Sequence, residues 1–463
     1  MSGVLPLPLA PFEEFMLVDD RPGYRMTFLV EQTFDGEIDR DAFEIGVTEA
    51  SQRHPLLCAF VKRRWFGGWK WISAGDARPT IDWGTLDQPM NYPAETGIDL
   101  TREIGVRFYA RVGNGQSKLV TQFHHSCCDG MGAIQYLSDL FAGYTRHLYP
   151  NAEKHPDYQP VKPTDLLHRA NLPVHRDATM PWFRLFLRTL AYAWKYGVHA
   201  PMPLARSTAS SEDSTPLAYP GTLTRTLSPS MQRSLRQVAR RYDVTVNELL
   251  VRELMLTLRD WNQRHTAVKA NDQISVLVPT NLRNLDHDLM PAANVMGSVA
   301  FQRSLTEMSD DNKLLASIKE ESQFYKKWRY GAAVLDGLKV LRWFPGSLRL
   351  ILNRNRSIST AMLSCIGDPS LAISAIFPVN ADGNPIFGNL VFADLNTAPP
   401  IRPLSHASFT TWHFSNKLRL GVRCDSAVFT QEAAQELIDM YADRVAAVAA
   451  KVADLRDTDR VAA

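Results

Sequence analysis

His124-His125-Ser126-Cys127-Cys128-Asp129-Gly130 is the stretch whose reading decides the fold. Upstream, Val106, Phe108, Ala110 and Val112 recur at every second position, Gly113-Asn114-Gly115 supplies a turn, and Leu119, Thr121 and Phe123 recur on the return. That pattern is a β-hairpin. Counting by twos puts His125 on the face of Leu119, Thr121 and Phe123, and His124 on the other. Downstream, Ile134, Leu137, Leu140, Phe141 and Tyr144 recur at helical spacing. Two histidines therefore stand where a strand leaves a sheet and a helix begins. A histidine there suits general-base work, because its unperturbed pKa of about 6.5 lies near neutral pH. Gly130 lets the backbone pass close to a substrate or turn tightly into the helix.

Outward from the loop, 38–57 reads as a helix ended by His54-Pro55, and 60–72 as strands around Phe66-Gly67-Gly68. The stretch 150–220 is proline-rich, with a small polar run at 207–215. The second half restarts with a basic amphipathic helix over 229–242 and a capping box, Thr245 to Glu248, opening another helix. Ile274–Val278 reads as a strand ending at Pro279. Ala361–Ser364 runs into the turn Gly367-Asp368-Pro369, 418–424 alternates, and Thr430 caps a last helix to about Val452. Helices and strands mix in both halves, which predicts two α/β lobes, 1–206 and 221–463, joined by a linker over 207–220.

The 463 residues are 45% hydrophobic and 22% charged, ordinary globular values. A net charge of +2 argues against nucleic acid as a partner. Five scattered cysteines show no disulfide framework, the N-terminus does not read as a secretion signal, and no uncharged stretch reaches a bilayer's span of about 20 residues. A cytoplasmic protein is the expectation. Cys127 and Cys128 beside two histidines do not read as a metal site, because near-contiguous strand residues diverge rather than converge. The aromatic, basic stretches 181–196 and 325–356 read as core helices, or as the border of a greasy channel or a peripheral membrane contact.

The order of these motifs resembles the chloramphenicol acetyltransferase and condensation-domain superfamily. His54-Pro55-Leu56-Leu57, the His-His-x-x-x-Asp-Gly loop, Tyr242–Leu250, Pro279–Arg283 and Ser364-Cys365-Ile366-Gly367 follow one another in the order of similar segments of that superfamily, the last being similar to a strand-end Ser-Asn-x-Gly. The resemblance implies two α/β lobes with mixed sheets and a tunnel between them. It implies an acyltransferase acting on small molecules, with His125 as general base. The acyl donor would be a thioester co-substrate, acyl-CoA or an acyl-carrier protein, and the acceptor an alcohol or amine. No bound cofactor is expected. Asp129 would pair with Arg283 as a brace, with Gly130 and His124 also structural, and Ser364 is a weak candidate for the oxyanion or acceptor. Departures are present: the Asp-Phe-Gly-Trp-Gly loop of plant alcohol acyltransferases is absent, and Cys365 stands where many relatives carry asparagine; an attached adenylation or carrier domain is not expected. A free-standing condensation enzyme with a carrier-bound donor, whose dock would include Arg236, Arg240 and Arg241, is the first alternative. A catalytically silent binding protein of the same fold is the second.

Overall fold

The computed structural model describes residues 3–461 except 66–67, 94–96, 171–199, 208–214, 343, 345 and 354–355. The aromatic stretch 181–196 and half of the expected linker lie outside the described residues. In chain order the strands are β1 (Leu7–Pro8), β2 (Thr27–Asp35), β3 (Ala59–Arg63), β4 (Trp69–Ser73), β5 (Thr80–Thr85), β6 (Val106–Gly113), β7 (Gln116–His124), β8 (Thr222–Thr226), β9 (Gln273–Asn281), β10 (Met296–Ser304), β11 (Ala361–Gly367), β12 (Ile386–Phe387), β13 (Leu390–Ala398), β14 (Ala407–Phe414) and β15 (Lys417–Cys424).

Local chemistry explains the elements that position the site. Asn114 and Gly115 take positive φ (54° and 73°), the turn that lets β6 and β7 keep their right-handed twist. Asp39 caps the helix Arg40–Arg53 by accepting from Ala42 N, and Pro55 follows its end. Thr245 and Glu248 cap Val246–His265 reciprocally, at 3.3 and 2.8 Å. The motif helix is Gly130–Leu148.

Two six-stranded mixed sheets, each flanked by helices, form two lobes. Their orders are β12-β13-β2-β7-β6-β5 and β10-β9-β11-β14-β15-β8. Each has its own core: Phe34, Phe43, Phe108 and Tyr136 in the first, Leu254, Trp261, Phe409 and Tyr441 in the second.

Three features differ from the expectation. Ile386–Ala398 belongs by sequence to the second half, yet β13 pairs with β2 and completes the first sheet. One edge of β2 is taken by β7, and the returning hairpin closes the other. Pro279 lies inside β9 rather than ending it. There β10 is the one remaining neighbour, because β11 reaches only Val276 and Leu277, so the missing N–H falls on an unpaired side. The last helix runs Gln431–Val461.

Candidate active site

β7 ends at His124, opposite Thr27 of β2. His124 N donates to Gly105 O at 2.9 Å and His125 N to Met26 O at 2.8 Å, so the backbone of both histidines is tied to the first lobe. The His124 ring is buried, and its Nδ1 accepts from Ser126 N at 3.1 Å. Nε2 must then carry the hydrogen, and it faces Asp20 Oδ1 across 4.0 Å. Burial, then the neighbouring His125 and Arg25, push the His124 pKa down to about 3. This ring is a neutral structural group. Cys127 and Cys128 are buried in the first core, and burial pushes both thiols up, away from a reactive thiolate.

His125 is different. Its ring packs against Phe28, with centroids 5.0 Å apart, and lines a large cavity. Asn294 Nδ2 donates to the His125 carbonyl at 2.6 Å and lies 3.4 Å from the His125 Nδ1. His125 also bonds its own backbone, which favours the protonated ring. Burial pushes its pKa below the ordinary histidine range, against that bond and the charge of Asp129.

Asp129 is held from four directions. Arg283 meets it through Nη1 at 2.7 Å and Nη2 at 2.8 Å, and Gly132 N and Val295 N each donate at 2.9 Å. The Gly132 bond makes Asp129 the N-cap of the motif helix. Burial acts to raise this carboxyl, but Arg283 and the donated hydrogen bonds outweigh it and hold the pKa below the usual range. With its lone pairs occupied, the carboxylate braces the loop.

The sequence reading missed the segment that clamps this loop. Ala292 N donates to His54 Nδ1 at 2.9 Å. Ala293 O accepts from Arg283 Nη2 at 2.9 Å, and Asn294 and Val295 hold His125 and Asp129. His54, in turn, meets Asp139 Oδ2 of the motif helix at 3.0 Å. Four consecutive residues thus stitch the His54 corner, His125 and Asp129 together. Ala292, Ala293 and Val295 act through backbone groups, which leave no signal in the sequence, and Asn294 alone uses its side chain.

Gly130 does not make the tight turn that was one of its two expected roles. It has no positive φ, and a Cβ there would meet nothing within 4 Å, so neither the turn nor a tight contact requires it. The tight place is Gly132, where a Cβ would lie 2.9 Å from Cys128 Cβ and 3.0 Å from Ala293 O. Gly130 instead leaves space on the cavity wall.

The cavity, about 900 Å³, is walled by both lobes. β2 supplies Phe28 and Val30, β9 and β10 supply Pro279 and Ser298, and β11 supplies Met362 and Ser364. Ala361 and Leu363 point the other way, into the second core. Ser364 therefore shares the cavity with His125. Arg283, Arg356 and Arg402 are the arginines on the described wall, whereas Arg236, Arg240 and Arg241 are on a helix that contributes nothing to it.

No family model matches the chain. Over 386 residues it is 23% identical to an uncharacterized protein of Mycobacterium tuberculosis, known from strains CDC 1551 / Oshkosh and ATCC 25618 / H37Rv, covering 78% of this chain and 83% of that one. A variant of the starter condensation domain of rhizomide synthetase, solved in complex with C8-CoA, is similar at TM-score 0.64 and 13% identity, covering 96% of this chain and 95% of that one. Trichothecene 15-O-acetyltransferase from Fusarium sporotrichioides is similar at TM-score 0.67 and 10% identity, covering 95% and 94%. The fold is the two-lobed acyltransferase fold. At these identities the likeness is one of fold, and function has to be argued from the site.

Proposed function

We propose that the protein transfers an acyl group from a thioester, acyl-CoA in first place, to an alcohol or amine bound in the same cavity. The observation that carries this is His125: an imidazole that burial keeps neutral, on the wall of an apolar cavity between two lobes. A ring nitrogen of His125 takes the acceptor's O–H or N–H proton as the oxygen or nitrogen attacks the thioester carbonyl. The new C–O or C–N bond forms, the C–S bond breaks, and the imidazolium returns the proton to the departing thiolate. Both substrates sit together, so proximity replaces a covalent acyl-enzyme. Ser364, across the cavity, is the candidate donor to the oxyanion. Asp129, Arg283 and Asn294 hold the base in place, and His124 fills the space behind it.

A panel of acyl-CoA and carrier-bound thioesters, with free-thiol release as readout, tests the reading. Turnover of CoA thioesters that His125→Ala abolishes is the expected result. Turnover of carrier-bound donors alone selects the condensation enzyme, and no turnover with any donor selects the silent binding protein.

A peripheral membrane contact is a second property the surface favours. No described helix is long and apolar enough to cross a membrane. Yet Val340, Phe344, Leu350 and Ile351 are exposed close to Lys339 and Arg349 in sequence, and Ile351 also lines the cavity. Flotation with anionic vesicles at low salt is expected to carry part of the protein upward; recovery wholly in the bottom fraction removes this contact.

A further inference from the structure

One arm of the cavity has a chemistry of its own. Phe28, Val30, Gln32 and Phe34 alternate along one face of β2, and Ile134, Ser138 and Phe141 recur along the motif helix. Phe28 marks the near end beside His125. At the far end Phe34 meets Phe141 with centroids 5.3 Å apart, and Phe387 stacks on Phe141 at 4.4 Å. Gln32 and Ser138 stand one step inside that aromatic plug, and both line the cavity.

Those two side chains are out of keeping with the wall around them. Gln32 is 2% exposed and Ser138 3%. Even so, Gln32 Oε1 and Ser138 Oγ have no hydrogen-bond partner among the described residues. Thr397, opposite Val30 on β13, adds Oγ1 as a third such atom on the same lining. Ile134, Leu137, Phe387 and Phe392 make the surrounding wall apolar. Buried polar atoms in such a wall are unfavourable unless something completes them, so groups of this kind point to a ligand or an ordered water.

We infer that Gln32, Ser138 and Thr397 read an oxygen substituent, a hydroxyl or keto group, on the distal part of the transferred acyl chain. The inference rests on the acyl-transfer reading above and names its substrate class: oxygenated medium or long chains. Gln32 follows Phe28 by four residues, about 13 Å along a strand rising roughly 3.3 Å per residue. A chain whose thioester carbonyl lies at His125 would thus bring its far half to the amide. A hydroxyl there can donate to Gln32 Oε1 and accept from Nε2; a keto group accepts from Nε2 or from the two hydroxyls.

Two thioester series test this: straight acyl-CoAs from octanoyl to hexadecanoyl, and the same chains with a hydroxyl or keto group in the distal half. Affinity is measured by titration calorimetry on His125→Ala, which needs no turnover, and kcat/KM on the wild type. At one chain length the oxygenated donor is expected to bind at least about tenfold tighter than its plain parent, since a polar pocket rejects an analogue that leaves it unpaired. Gln32→Met is expected to erase the preference with melting unchanged, and Ser138→Ala to reduce it. Either oxygen group at the preferred position supports the proposal. Equal affinity at every length, no binding of any oxygenated chain, or a preference that survives Gln32→Met overturns it, and an ordered water then completes the amide. Preferential binding without turnover of any thioester keeps this inference and removes the acyl-transfer reading; turnover without preference does the reverse.

Discussion

Asp129 follows His125 by four positions and lines the same cavity, yet the two side chains are bonded in opposite ways. Asp129 accepts four hydrogen bonds, three of them from Arg283 and Val295 in the later half of the chain. His125 is anchored through its backbone and Nδ1 side, while its ring rests on Phe28 and lines the cavity. Anchorage asks a group to be fully bonded, and proton transfer asks it to keep a lone pair in reserve. One loop thus carries on one cavity wall a group saturated by its partners and a ring that faces the open space.

The largest effect is expected at the open end. His125→Ala should lower kcat/KM by about 10²–10⁴-fold, the usual contribution of a positioned base, with thermal melting unchanged. Near wild-type turnover would remove His125 from the chemistry. At the saturated end the effect should fall on stability. Arg283→Ala leaves Asp129 buried without its counter-ion, a loss of about 3–5 kcal/mol for a buried pair. The lower end applies here, since the Arg283 side chain is 21% exposed. Denaturant midpoints of Arg283→Ala and Asp129→Asn check this, and unshifted midpoints would mean that the brace carries no load.

A smaller effect separates the two histidines by pH. His124 has a folded pKa of about 3 against an unfolded value of roughly 6.5. The unfolded chain therefore binds more protons in that window. The stability His124 contributes is fully present above about pH 6.5 and is lost as pH falls, by about 2 kcal/mol on reaching pH 5. His124→Gln should flatten the melting curve against pH in this range; an unaltered slope would mean that His124 does not set it. His125 is also depressed, so the acid limb of kcat/KM is expected below the ordinary histidine range. A limb at or above that range would place the base elsewhere.

Much of this was legible in the chain because it is local. The hairpin follows from alternation and Gly113-Asn114-Gly115, the capping box from Thr245 and Glu248, and the motif helix from its apolar spacing. Strand parity separated His125 from His124, although β7 stops at His124 and the fold of the loop, rather than parity, turns the second ring toward the cavity. Other features were hidden. Ala292-Ala293-Asn294-Val295 acts mainly through backbone groups, which every residue carries, so nothing marks it in the sequence. Pro279 reads as a strand end unless its neighbour is known to stop two residues earlier. Gln32 reads as an ordinary polar residue of an alternating strand until the buried wall around it is seen.

By itself, the sequence determined the element types, the strand-to-helix loop that presents His125, and the residue chemistry available there, because dihedral preferences, turns and caps act over a few neighbouring residues. The tertiary structure alone decided that β13 completes the first sheet, that 292–295 clamps the loop, that Gly132 rather than Gly130 is the tight glycine, and that Gln32 and Ser138 face one chamber. Those facts depend on which distant surfaces are buried against each other, and burial is a property of the packed chain.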